Sequence, residues 1–210
     1  MNRRHLLALI ALSAGLALFF RAWMSERRAK TVFPASQSAL LLQPLRRLVH
    51  RPREMISTFG LRPGDRVLEL GPGPGYFTPE AAAAVGMEGR IMTADLQPAM
   101  LRLLLKRLTP DTAARVRAVA CDAARLPFPD AAFDAAFLVT VLGEIPQPNR
   151  ALAELRRVVR PHGIVSFAEH LGDPDYVREG VLRRLCAAAG LSFVERRRQP
   201  LGYVMRFARP

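Results

Sequence analysis

From Gly60 onward, short apolar runs alternate with amphipathic stretches, and each change of period is marked by Gly, Pro, Asp or Asn. Arg66–Leu70 is short and apolar enough to be a buried strand. A helix follows over Tyr76–Val85, then a second strand over Arg90–Ala94 that ends at Asp95. Pro98–Leu108 has helical spacing with Pro98 in its first turn, the place where proline loses nothing. Val116–Ala120 is a third strand ending at Cys121-Asp122, and Phe133–Thr140 a fourth. Asn149 is placed to cap a helix through Val159. The turn Pro161-His162-Gly163 leads into a fifth strand, Ile164–Glu169. Tyr176–Ala189 is a helix closed by Gly190. Ser192–Arg197 and Tyr203–Ala208 are closing strands joined by Gln199–Gly202. Strand and helix in alternation imply a parallel sheet covered on both faces. The last two strands have no helix between them, so they pair antiparallel or one inserts between others.

Upstream the pattern changes. Leu6–Phe20 is an apolar run broken by Ser13, and it extends to Met24 if Arg21 snorkels and Trp23 sits at an interface. A membrane span needs about 20 residues. Arg3 and Arg4 before the run also fit a signal peptide, but bulky Phe19, Phe20 and Trp23 stand where small cleavage-site residues belong. A start at Met24 would remove the segment altogether. The reading adopted is an N-terminal membrane anchor. Arg21, Arg27, Arg28 and Lys30 outweigh Arg3 and Arg4, which keeps the following domain cytoplasmic. Gln43–Phe59 carries Leu45, Leu48, Val49, Met55 and Ile56 at helical spacing, interrupted at Pro52. The arginines among them suit a helix over the site or against acidic headgroups, or a solvated face. The expected division is residues 1–30 as anchor and basic flank, 31–60 as helical connector or lid, and 61–210 as the main domain.

Charge alters this picture less than its size suggests. The net charge is +13, but Lys30 and Lys106 are the only lysines, and an arginine excess with abundant alanine also follows from base composition. Cys121 and Cys186 lack metal-ligand or disulfide-framework spacing, so no metal site is expected.

The chemistry begins at Gly71-Pro-Gly73-Pro-Gly75, directly after the first strand. Glycines there allow a tight strand-to-helix turn and let a ligand approach bare backbone near a helix N-terminus. A dinucleotide fingerprint needs Gly-x-Gly-x-x-Gly, whereas the spacing here is Gly71-x-Gly73-x-Gly75, with Tyr76 where the third glycine would fall. Asp95 lies at the end of the second strand, where an acceptor for ribose hydroxyls belongs. Glu69, two residues before the glycines, would repel pyrophosphate and suits an amine-bearing ligand.

Together these residues resemble the class I S-adenosylmethionine-dependent methyltransferases, over about Met55 to Phe207. Glu69-Leu-Gly71-Pro-Gly73-Pro-Gly75 resembles the family's first motif, and Phe133-Asp134-Ala135-Ala136-Phe137 the fourth-strand motif. Arg160-Pro161-His162-Gly163 resembles the Arg-Pro-Gly-Gly turn before the fifth strand, with His162 in place of a glycine. The resemblance implies a Rossmann-like α/β fold: a doubly wound sheet of about seven strands, mostly parallel with an antiparallel last strand, preceded here by the N-terminal hydrophobic helix. It implies S-adenosyl-L-methionine as cofactor, held by Glu69, Gly71, Gly73, Gly75, Tyr76, Asp95, Leu96, Asp122, Ala123 and Thr140. Asp95 then takes the ribose, and Asp122 the adenine amine.

Methyl transfer from a sulfonium asks the protein mainly for positioning and dryness, and for a base only where the acceptor must lose a proton. The rim beyond the strand ends offers Thr140, Glu144, Glu169 and His170. Glu144 and His170 are the catalytic candidates, although a loop-orienting glutamate and a solvated histidine fit the same positions. The short link Leu171–Pro174 leaves the site open, so the connector or membrane must complete it. With the anchor, this favours a small lipophilic acceptor of quinone, lipid or thiol type. The core resembles the branch with ubiquinone/menaquinone C-methyltransferases and phospholipid N-methyltransferases. A nucleic-acid methyltransferase using the arginines is an alternative, but an Asn-Pro-Pro-Tyr motif is missing after the fourth strand. A non-enzymatic cofactor-binding protein is the other. Oligomeric state is not legible.

Overall fold

A computed structural model describes residues 34–36 and 51–210. The expected anchor and most of the connector lie outside the described residues. The described part belongs to one unit, Val32–Pro210.

The chain order is α1 (Pro52–Ser57), β1 (Arg66–Leu70), α2 (Thr78–Val85), β2 (Arg90–Asp95), α3 (Pro98–Arg107), α4 (Pro110–Arg115), β3 (Val116–Ala120), β4 (Phe133–Val139), α5 (Pro148–Val158), β5 (Val159–His170), α6 (Glu179–Ala188), β6 (Ser192–Gln199) and β7 (Gly202–Ala208). The seven strands lie in the order β3-β2-β1-β4-β5-β7-β6. β1 to β5 pair parallel, whereas β7 runs antiparallel between β5 and β6. This is the expected doubly wound architecture, with the late strand inserted between its neighbours.

Side-chain alternation along each strand divides the core into two layers. Leu68 and Leu70 of β1 join Leu152 and Leu155 of α5 and Leu182 and Cys186 of α6 on one face. Val67 joins Met55, Ile56, Phe77, Ala81, Val85 and Leu104 on the other. Phe59, 0% exposed, stacks against Phe137 at 5.1 Å, and its carbonyl accepts the buried Ser166 hydroxyl at 2.8 Å. The entry segment is therefore bonded to the middle of β5.

Several boundaries differ from those expected. Pro52 opens α1 at its first position, where its missing N–H costs nothing, and the apolar stretch expected ahead of it lies outside the described residues. Asn149 is not the cap of α5: Pro148 occupies the first turn, Gln147 is the N-cap, and no side chain caps the end. α2 starts at Thr78, after a turn closed by Gly75 N donating to the Pro72 carbonyl at 3.0 Å. α6 starts at Glu179, because Asp173 ties the preceding link into a turn by accepting the Asp175 amide at 2.8 Å. α4 was not anticipated. Thr109 caps it, and Arg115 reaches from its end to the Ala82 carbonyl at 2.6 Å, a tie that six residues of local pattern do not reveal. The Pro161-His162-Gly163 turn forms an irregularity inside a longer β5, between Val159 and Ile164. His162 adopts φ 62° there, a left-handed conformation glycine takes freely, and its amide bonds the Arg209 carbonyl at 2.8 Å.

Candidate functional site

The carboxyl ends of β1, β2 and β3 meet at the glycine loop. Gly71, Gly73 and Gly75 have φ of 69°, 54° and 77°, all left-handed. A Cβ on Gly71 would stand 2.5 Å from Val141, so β1 can meet the loop after β4 only through a bare Cα. A Cβ on Gly75 would meet Leu104 at 2.7 Å, closing the loop onto α3. Arg107 clamps the same loop by donating to the Pro74 carbonyl at 2.7 Å. Tyr76, half-buried, packs edge-on against Phe77 at 5.0 Å.

Asp95 ties the loop to β2. Its carboxylate accepts the Gly73 amide at 3.2 Å and the Gln97 amide at 2.8 Å, and burial pushes its pKa up. Each oxygen keeps a further acceptor position for a vicinal diol. Leu96 beside it is 56% exposed, an apolar side chain held at the rim. Across β3, Asp122 is exposed, its carboxylate accepts the Ala124 amide at 2.8 Å, and it is followed by half-buried Ala123. The Ala35 amide reaches the Gln97 side chain at 3.2 Å, so this piece of the connector lies beside the end of β2. A carboxylate for ribose hydroxyls, an exposed carboxylate for an exocyclic amine and an apolar side chain between them fit an adenosine moiety.

Glu69 stands apart from this group. It is 2% exposed, on the α2 face of the sheet, and its carboxylate accepts the Thr78 hydroxyl at 2.7 Å. Burial raises its pKa to about 8. In this geometry Glu69 braces the first turn of α2 against β1. Thr78, its partner, was missed in the sequence, where it carried no signal beyond its place at the start of a helix.

The second half of the rim is formed by β4 and β5. Thr140, directly after β4, has φ 52°, which a β-branched residue rarely adopts, while its amide bonds the Ala168 carbonyl at 2.8 Å. Glu144 is half-buried on the following turn. His170 ends β5, and its Nδ1 accepts the Gly172 amide at 3.2 Å, which leaves Nε2 to carry the proton of the neutral ring. Glu169, on the opposite face of β5, is 5% exposed and accepts the Val177 amide at 3.1 Å. Burial, then Asp173, Asp175 and Glu144, push its pKa to about 8. It lies opposite Tyr203 of β7, whose hydroxyl donates to the Val177 carbonyl. Sequence reading put Glu169 on the rim without a role; its environment comes from Val177 and Tyr203, which no local pattern pairs with it.

The structure thus gathers Gly71, Gly73, Gly75, Asp95, Leu96, Asp122 and Ala123 on one half of the rim, and Thr140, Glu144, Glu169 and His170 on the other. Among the described residues no group of His, Cys, Asp and Glu is assembled to hold a metal ion. No helix among them is long and apolar enough to cross a membrane.

Residues 68–167 match the family model described as "Methyltransferase domain". The ubiquinone/menaquinone biosynthesis C-methyltransferases UbiE of Burkholderia mallei and Burkholderia thailandensis are each 37% identical to the chain over 114 residues, 54% of this chain and 46% of theirs. The match therefore spans about half the length of these relatives. Among solved structures, an S-adenosylmethionine-dependent methyltransferase from Aquifex aeolicus is similar with a TM-score of 0.80 at 21% identity, over 85% of this chain and 100% of that one. The [4+2]-cyclase SpnF is similar with a TM-score of 0.67 at 18% identity, over 76% and 81%. These structures share the fold, and the presence of a cyclase among them means that the fold alone does not dictate the reaction. The domain and fold imply S-adenosyl-L-methionine as the cofactor.

Proposed function

We infer that this chain, which carries an S-adenosylmethionine-dependent methyltransferase domain, moves a methyl group onto a small lipophilic acceptor, first among them a quinone-type ring carbon. The observation that carries the reading is the joint between Gly73 and Asp95, which aligns the glycine loop with a carboxylate free to accept two vicinal hydroxyls. The UbiE relatives support the acceptor class.

When bound, the cofactor supplies an electrophilic methyl group on a sulfonium. Asp95 would accept the ribose hydroxyls, Leu96 and Ala123 flank the adenine, and Asp122 takes its amine. The bare backbone of Gly71 to Gly75 and the side chain of Tyr76 line the amino-acid end, with Glu69 holding the loop from beneath. Thr140 borders the same space at the end of β4. Glu144 and His170 face the acceptor. An acceptor that must lose a proton needs a group able to take it: His170 does so only after exchanging its bond to Gly172, whereas Glu144 stands on a turn of its own.

The apolar segment Leu6–Met24 supports attachment to a membrane, with the domain on the cytoplasmic side, and a substrate arriving from the bilayer fits an open rim. The test is incubation with methyl-labelled cofactor and a membrane extract, followed by chromatography. Label in a lipophilic quinone or lipid fraction is the expected result. Label in nucleic acid or protein, or cofactor binding with no labelled product, would overturn it.

A further inference from the structure

The open edge of the sheet carries a surface that the methyl-transfer site does not use. Of the exposed large apolar side chains among the described residues, Met87, Leu96 and Leu105 are scattered, whereas Leu171, Val181, Phe193, Val194 and Leu201 all belong to the β5–α6 link, α6, the edge strand β6 and the β6–β7 turn. Leu171 and Leu201 are 62% and 46% exposed, and they lie side by side because the Leu171 amide donates to the Leu201 carbonyl at 2.8 Å. Behind them is a cavity of about 510 Å³, bordered by Leu171, Tyr176, Arg198 and Pro200.

The charge of this edge is predominantly positive. Between Leu171 and Leu201 there are six arginines (Arg178, Arg183, Arg184, Arg196, Arg197 and Arg198) and four carboxylates. Glu179 is neutralised by Arg196 at 2.6 Å, and Glu195 by Arg197 and Arg206. Asp173 and Asp175 are half-buried in the link. Arg178, Arg184 and Arg198 are exposed and make no ion pair with the described residues.

We propose that this edge docks on an anionic phospholipid bilayer, with Leu171 and Leu201 entering the acyl boundary and Arg198 meeting a headgroup phosphate at the mouth of the cavity. Paired leucines at the tips of two loops gain from hydrocarbon and have nothing to offer a phosphodiester chain, whereas nucleic-acid surfaces pair their arginines with exposed aromatic rings. The one exposed ring here, Phe193, is covered by the Arg183 guanidinium at 3.5 Å from its centroid. The inference does not rest on the methyl-transfer reading.

The test uses the full chain with Trp23→Phe and Leu201→Trp, so that a single indole reports from the turn. Cofactor affinity of this variant checks its fold. With vesicles of phosphatidylglycerol carrying brominated acyl chains, emission should shift to the blue and be quenched, and brominated phosphatidylcholine should quench far less. Adding Arg198→Glu should weaken this docking about fivefold or more, the effect of one arginine near an anionic surface. Unshifted emission while the chain sediments with anionic vesicles would overturn the proposal, as would equal quenching by both lipids. So would Arg198-dependent binding of a single-stranded oligonucleotide without lipid quenching. Methyl transfer to a detergent-dispersed quinone should be unchanged by either substitution, which separates a failure of docking from a failure of the proposed reaction.

Discussion

The Thr78 hydroxyl donates to the Glu69 carboxylate across 2.7 Å, joining the first residue of α2 to a strand position that is 2% exposed. Removing the donor leaves a buried carboxyl with an unmet acceptor. Thr78→Val should destabilise the domain by about 1–3 kcal/mol. Denaturant unfolding at pH 7 checks it, and the substitution should also weaken cofactor binding, because the glycine loop hangs between these two residues.

Glu69 and Glu169 predict an unusual response to pH. Each has a folded pKa raised from 4.5 to about 8, so the native state holds protons that the unfolded chain has released. Their contribution to stability is complete below the unfolded value and is lost as pH rises toward 8, by up to about 1.4 kcal/mol per pH unit for each group. Asp134, Glu154 and Glu195, whose pKa values are lowered by arginine partners and amide hydrogen bonds, act in the opposite direction, and only at acid pH. The melting temperature should therefore fall between pH 5 and pH 8. The double variant Glu69→Gln, Glu169→Gln should flatten that slope.

Asp95→Ala should cost about 1.5–3 kcal/mol of cofactor affinity for each charged hydrogen bond lost, or roughly tenfold to a hundredfold, as read by calorimetric titration. Asp122→Ala, at an exposed position, should cost less.

The strands, the glycine loop and Asp95 were legible in the sequence because they rest on local signals: apolar runs, punctuating glycines, and an acid closing a strand. Glu69 was legible as a residue and not as a geometry. Its polar partner, Thr78, sits nine positions on and is brought back by the helix turn. Asn149 misled because Pro148 beside it dictates the helix start by its fixed φ. The environment of Glu169 depends on Val177 and on Tyr203, two strands later in the chain, and only the inserted β7 brings that ring opposite it.

Thr140→Gly separates backbone from side chain at the end of β4. Glycine relieves the left-handed φ of 52°, which costs an ordinary residue about 1–2 kcal/mol. Stability should hold or rise while cofactor affinity or turnover drops, if the hydroxyl borders the cofactor as proposed. Thermal melting and calorimetry on the same sample read both.

Glu144→Gln and His170→Ala should each lower turnover with little change in cofactor affinity. Gly143→Ala is the structural control: its Cβ would collide with the Asp175 carbonyl, forcing apart the two loops that carry the rim. It should lose stability by about 1–3 kcal/mol and turnover together.

The bond from the Ser166 hydroxyl to the Phe59 carbonyl joins residues 107 positions apart. It also defines a path for force. Tension on α1 is borne by its buried Met55 and Ile56 and then by Phe59, which passes it into the centre of β5, a strand held by hydrogen bonds on both sides. Such a load is shared across the widest part of the sheet before it reaches the glycine loop. A load that enters at α1 therefore leaves the cofactor rim slack, whereas one carried by Ala35 would act on that rim through Gln97.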